Sequence, residues 1–180
     1  SVLKMVWQIL TNGSCGIRSA YVVDLLNQQQ VEGWLEATTF ERVVASTPLI
    51  SIDLLVKNKK GEYLFGLRKN RPAQGYWFVP GGRVQKNETL DAAFRRLVQE
   101  ELGVQLDRSQ AQYNGVFEHF YKDSFFGEHV STHYVVLAYE VALSDEAYHL
   151  DAKQHSDMMW VKPKNLNQYP VHCYSLNYFI

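Results

Sequence analysis

The stretch Gly81–Val104 constrains the fold more than any other part of the chain: a glycine turn feeds an amphipathic helix, and that helix carries a carboxylate on its apolar side. Pro80-Gly81-Gly82 supplies the turn, because glycine accepts positive φ and lets another group approach closely. Asn87 or Thr89 is placed to cap the helix. Leu90, Phe94, Leu97 and Val98 recur at helical spacing, and Gly103 suits the position just past the end. Glu101 falls on the same stripe. A carboxylate in an apolar setting costs several kcal/mol or takes up a proton unless it is paired, so the pattern predicts an arginine or a metal ion beside it. A plainer reading is also open, in which Arg96 and Glu100 form a surface pair worth about 0.3–0.5 kcal/mol and Glu101 sits at the rim of the stripe.

The 180 residues suffice for one domain with a proper core, and 46% hydrophobic composition suits a globular one. A net charge of −1 gives no bulk attraction to nucleic acid or to a membrane surface, so neither partner is expected. No apolar run approaches the roughly 20 residues that span a bilayer. Ser1–Leu10 carries Lys4 and Gln8 and lacks the features of a signal peptide. Cys15 and Cys173 have no metal or redox spacing, which makes a reducing cytoplasm the simplest compartment.

Residues 1–36 are expected to be an N-terminal extension, with Val2–Leu10 a strand and Ala20–Leu26 a strand or helix; no chemistry is assigned to them. The domain is expected over 37–180. Thr38-Thr-Phe-Glu41 has the form of a capping box and predicts a short helix ending before Pro48. Leu49–Val56 and Glu62–Arg68 predict a hairpin about Asn58-Lys-Lys-Gly61. Asp53 interrupts the first strand and points either to an exposed face or into a site. Further strands are expected at Tyr113–Tyr121, Val130–Val141 and Met158–Val161, and a final helix at Leu166–Ile180. Arg68-Lys-Asn-Arg71 could meet phosphate oxygens bidentately or be a solvated loop.

Gly82, five residues, Glu88, seven residues, then Arg96-Leu-Val-Gln-Glu100-Glu101-Leu-Gly103-Val resembles the signature of the Nudix hydrolases. From Leu35 onward the chain further resembles the GDP-mannose mannosyl hydrolase branch, in Ser46–Leu49, Asn70–Lys86, Gly115–Tyr121, Thr132–Leu137 and Gln154-His155. The resemblance implies an α/β (α+β) fold, the Nudix α/β/α sandwich with a mixed sheet between helices. It also implies Mg2+, or Mn2+, held by Gly81, Glu101 and Gln154, with Glu100 a further candidate where the branch tends to be non-acidic. Gly82, Glu88 and Arg96 would shape the signature loop.

The signature's glutamate after the arginine is Leu97 here, a departure the branch shares, and it points away from cleavage at phosphorus. The implied reaction is hydrolysis of a GDP-sugar, GDP-mannose or GDP-glucose, to GDP and free sugar by water attack at the anomeric carbon with inversion. A general base near neutral pKa suits that attack, and His155 is the candidate. Arg68 and Tyr134 are the other catalytic candidates, and Asp53, Arg83, His119 and Tyr121 the substrate-binding ones. Relatives of the branch are homodimers. Two rival readings are a Nudix pyrophosphohydrolase that attacks phosphorus, with Glu100 and Glu101 together holding metal, and a catalytically idle nucleotide-sugar-binding module.

Overall fold

The computed structural model describes residues 35–143 and 155–180. The elements expected at Val2–Leu10 and Ala20–Leu26 lie outside the described residues, as does Gln154.

Helix α1 spans Ala37–Ser46, and its cap is Glu36, whose side chain accepts from the backbone N–H groups of Thr38 and Thr39. The expected box beginning at Thr38 is thus displaced, because the longer Glu36 side chain already reaches the first-turn amides. The helix packs Phe40, Val43 and Val44 against Leu49, Val130 and Tyr134.

Seven strands among the described residues form one mixed sheet. Strand β1 (Leu49–Lys57) is central, parallel to β6 (Thr132–Ala142) from Leu49↔Tyr134 to Lys57↔Ala142. Its other side pairs antiparallel with β4 (Gly81–Arg83) over Ser51, Ile52 and Asp53. The expected hairpin with β2 (Tyr63–Arg68) survives only at its turn, through Lys57↔Tyr63. Beyond it β2 pairs with β7 (His155–Val161) and β3 (Trp77–Phe78). Strand β7 starts at His155, earlier than the apolar run Met158–Val161 predicted, because the ladder continues past a register shift to Arg68↔His155.

Alternation along β1 sends Ile52, Leu54 and Val56 to one face and Asp53 and Leu55 to the other. The first set packs under helix α2 (Leu90–Leu102) with Phe94, Leu97, Val98, Tyr139 and Val141. Thr89 caps α2 by accepting from Ala92 N, Gly103 closes it at φ 70°, and Asn87 instead takes a positive φ of 65° in the preceding turn. Leu55 belongs to a second cluster with Phe65, Phe78, Ala138, Val161, Leu166 and Tyr178. Two apolar layers thus sandwich the sheet.

Edge strand β5 (Gln112–Tyr121) pairs antiparallel with β6 and shifts register between Tyr113 and Gly115, where Gly115 takes φ 132°. Tyr113 stacks toward Tyr139 on the α2 side, whereas Phe117 and Tyr121 pack into the second cluster. A bulge of this kind re-aims the side chains beyond it, and here it turns Phe117, His119 and Tyr121 to the Asp53 face.

The C-terminal region is not the continuous helix predicted over Leu166–Ile180. A 3-10 turn at Pro163–Gln168 is followed by extended chain, the four-residue helix α3 (Cys173–Leu176) and a second turn at Asn177–Phe179. Pro170 lacks an N–H, and the backbone around it runs along β3 instead: its carbonyl accepts from Trp77 N and His172 N donates to Trp77 O. Among the described residues, no helix is long and apolar enough to cross a membrane.

Candidate active site

Two groups of polar side chains are built into this framework. The first surrounds Glu101, which is only 1% exposed on α2. Its Oε2 lies 3.6 Å from Nε2 of His155, wider than a hydrogen bond. The His155 ring is pressed against Gly66: a Cβ there would come within 2.3 Å of Nδ1, and that buried nitrogen has no hydrogen-bond partner among the described residues. Nε2 is therefore the nitrogen turned to the carboxylate.

Gly81 and Gly82, expected to make a turn through positive φ, instead lie in strand β4, because β1 supplies ladder partners for them, and the packing there is equally tight. A Cβ on Gly81 would sit 2.4 Å from Ile52 O, and one on Gly82 would sit 2.5 Å from Leu97 Cδ2. Leu97 thus fills the space under the loop, leaving Glu101 as the buried carboxylate of the helix. Arg96 fastens the same loop. It grips Glu88 in bidentate fashion at 2.8 Å, donates to Arg83 O at 2.9 Å and to Glu100 Oε2 at 2.9 Å. Hydrogen bonding to Arg96 holds the Glu88 carboxyl below its ordinary pKa. Glu100 is half-exposed and engaged by Arg96.

Oxygen donors suit a hard divalent cation. The described residues contain no cluster of three or more His, Cys, Asp or Glu side chains. Beside Glu101, backbone carbonyl and amide oxygens would also suit such a cation, the donor types that Gly81 and Gln154 carry. The buried carboxylate opposite His155 Nε2 fits such a site, where a hydrophobic stripe would have served packing better.

The second group lies on the other face of β1. Asp53, 7% exposed, accepts from the Tyr178 hydroxyl at 2.6 Å, and that hydroxyl is 3.2 Å from Nε2 of His119. Burial pushes the Asp53 carboxyl up to about 7, against the lowering effects of Tyr178 and Arg68. Burial also lowers His119 to about 4, with His172 adding to the effect. The His119 ring stacks on Tyr174 at 4.3 Å and meets Phe78 edge-on.

Tyr121 and Tyr134 approach each other edge-on at 6.3 Å, and burial raises the pKa of both. Arg68 donates to Pro72 O and lies over Phe78 while interacting with Asp53, Tyr121 and Tyr134. Arg83 stacks over Phe40 of α1 at 3.9 Å, and burial lowers its pKa.

A pH prediction arises here. Because the folded-state pKa of His119 is depressed, the stability linked to its neutral form is present above about 6.5 and lost as pH falls through about 4. The shift from 6.5 to about 4 corresponds to about 3 kcal/mol. An NMR titration of the ring Cε1–H should show no His119 transition between pH 6 and 8; a midpoint near 6.5 contradicts this burial.

Arg68, Asp53, Arg83, Tyr121, Tyr134 and His119 are thus linked around the β1–β6 seam, and Glu101 faces His155. Glu100 is turned to Arg96, and Gln154 lies outside the described residues. Sequence reasoning missed Tyr178, Tyr174 and His172. The spacing of Tyr174 and Tyr178 was the available signal, absorbed into an expected helix.

Residues 47–175 match the model of the NUDIX domain. The chain is 45% identical over 124 residues to the low-salt glycan biosynthesis protein Agl8 of Haloferax volcanii, covering 69% of this chain and 77% of that protein. It is 24% identical over 101 residues to an uncharacterized Nudix hydrolase, YvcI, of Bacillus subtilis, covering 56% and 60% respectively. Among solved structures it resembles a MutT protein from Methanosarcina mazei Go1, with TM-score 0.60, 24% identity and coverage of 74% and 92%. It also resembles a MutT NUDIX hydrolase from Burkholderia pseudomallei, with TM-score 0.60, 26% identity and coverage of 74% and 96%.

Proposed function

The chain belongs to the NUDIX family as a hydrolase, and from that premise we propose that it hydrolyses GDP-sugars at the sugar carbon, releasing GDP and free sugar with inversion. The observation that carries this reading is the pairing of Leu97, which occupies the helix position under the signature loop, with His155, whose Nε2 faces Glu101 at 3.6 Å. The helix offers one buried carboxylate, and the imidazole that faces it comes from strand β7. The glycan-biosynthesis name of the Haloferax volcanii relative is consistent with a nucleotide-sugar substrate.

NUDIX hydrolases generally use divalent metal ions such as Mg2+. Gly81, Glu101 and Gln154 would hold Mg2+ or Mn2+, which would neutralise charge on the diphosphate as the bond breaks. His155 Nε2 takes the proton of the attacking water. The water oxygen bonds to the anomeric carbon while the carbon–oxygen bond to the β-phosphate breaks, its electron pair staying with GDP. Arg68 and Tyr134 face the departing diphosphate, and Arg83, His119, Tyr121 and Asp53 bind the substrate. Residues 37–180 form the catalytic domain, and the same reading expects a cytoplasmic homodimer.

The test supplies GDP-mannose and GDP-glucose with Mg2+ in 18O-labelled water. GDP with label in the free sugar is the expected result. GMP plus sugar 1-phosphate establishes attack at phosphorus and overturns the proposal. Binding without turnover on either substrate identifies an idle module.

A further inference from the structure

We propose that Tyr178 is a positioning residue of this site: its hydroxyl, donating to Asp53 and accepting from His119, aims the carboxylate and locks His119 as the Nε2–H tautomer, leaving Nδ1 to accept a substrate hydrogen bond. The assignment of the substrate as a nucleotide sugar rests on the reading above; the tautomer does not.

The proton order follows from chemistry. At 2.6 Å from a carboxylate oxygen, the phenol proton is committed to Asp53. The phenol oxygen can then only accept from the nitrogen 3.2 Å away, so His119 Nε2 carries the ring proton. All three side chains are 7% exposed or less. A buried carboxylate, phenol and imidazole on an apolar wall cost desolvation that three hydrocarbon side chains of similar size would avoid. Stability alone therefore gives poor grounds for the set.

Its location adds a second argument. Asp53 pairs in the ladder with Gly81, and a Cβ on that glycine would sit 3.0 Å from Asp53 Oδ1. The Tyr178 chain thus ends on β1, directly opposite Gly81 of β4, the strand that leads into the signature loop. Tyr178 reaches it because the C-terminal segment is tied to the sheet by the Trp77 backbone bonds, and because Val79 N donates to Ser175 Oγ at 3.4 Å. Arg68 also acts on the Asp53 carboxylate through its charge. Carboxylate and imidazole are therefore held in one orientation before substrate enters, the arrangement that pre-organised binding requires.

The experiment compares the full chain with Tyr178→Phe at pH 8, by two-bond 15N–1H spectra of the histidine rings and by steady-state kinetics with GDP-mannose and Mg2+. The wild type is expected to show His119 as the Nε2–H tautomer, and the variant a tautomer mixture with kcat/KM lowered about 10- to 100-fold. Both changes together support the proposal. If either quantity stays at its wild-type value, or if only thermal stability falls, Tyr178 is a packing residue and the proposal is overturned. Should the variant fail to fold, the wild-type spectrum alone still decides, since an Nδ1–H tautomer of His119 breaks the chain. If the wild type yields GMP and sugar 1-phosphate, the functional reading fails and Tyr178 is judged on the tautomer and on kcat/KM for that reaction.

Discussion

Glu101→Gln is expected to lower kcat/KM by about three orders of magnitude and to abolish the stabilisation that Mg2+ gives the wild type. A cation that neutralises a leaving diphosphate contributes several kcal/mol to the transition state, and about 4 kcal/mol corresponds to a thousandfold. The amide keeps the shape of the side chain and removes its charge, so packing beside Phe94, Leu97 and Val98 is preserved. Thermal melts with and without Mg2+, run beside the kinetics, check the second effect: the wild type should gain stability with metal and the variant should not. Equal Mg2+-dependent shifts in the two proteins would remove Glu101 from the metal site.

The second large effect is expected at Gly66, a residue with no chemistry of its own. Its missing side chain is the space in which the His155 ring sits, since a Cβ would approach Nδ1 to 2.3 Å and Cγ to 2.5 Å. Gly66→Ala must displace the ring. We expect a kcat loss of about 100-fold, matching that of His155→Ala, because a general base moved off its proton is as good as absent. Overpacking should also cost about 1–3 kcal/mol of stability. The double variant Gly66→Ala/His155→Ala distinguishes this from a diffuse defect. Its activity should be no lower than that of either single variant, and part of the stability loss should be recovered because the clash has gone. Multiplicative losses in kcat would show that Gly66 acts elsewhere.

The sequence made the signature helix and its loop legible because their rules are local. A threonine cap, an apolar stripe and a closing glycine are each decided within a few residues, and Thr89, Leu97 and Gly103 take the places those rules assign, whereas Gly81 and Gly82 join strand β4 because the distant β1 pairs with them. Asp53 was harder. In a central strand covered on both faces, alternation does not distinguish a solvent side from a site side, and only the second cluster with Tyr178 settles where the carboxylate goes. His155 was expected in a polar loop, yet it opens β7 because a strand distant in the chain supplies Arg68 as its partner. Tyr178 escaped altogether: helical periodicity in the C-terminal region is overridden by backbone bonds to Trp77, an interaction that no local pattern encodes.

The parallel ladder between β1 and β6, from Leu49↔Tyr134 onward, brings together segments separated by most of the domain. Such pairings are reached only after a large loss of chain entropy, and they set the pace at which a domain matures. Asp53 lies on one of these strands and Tyr134 on the other, while Glu101 and His119 come from the chain between them. No contiguous fragment therefore carries a working part of the site. Helix α2 is set by local rules, but the candidate site is assembled only when two long-range pairings have closed, β1 with β6 and β2 with β7, because His155 lies on the last strand.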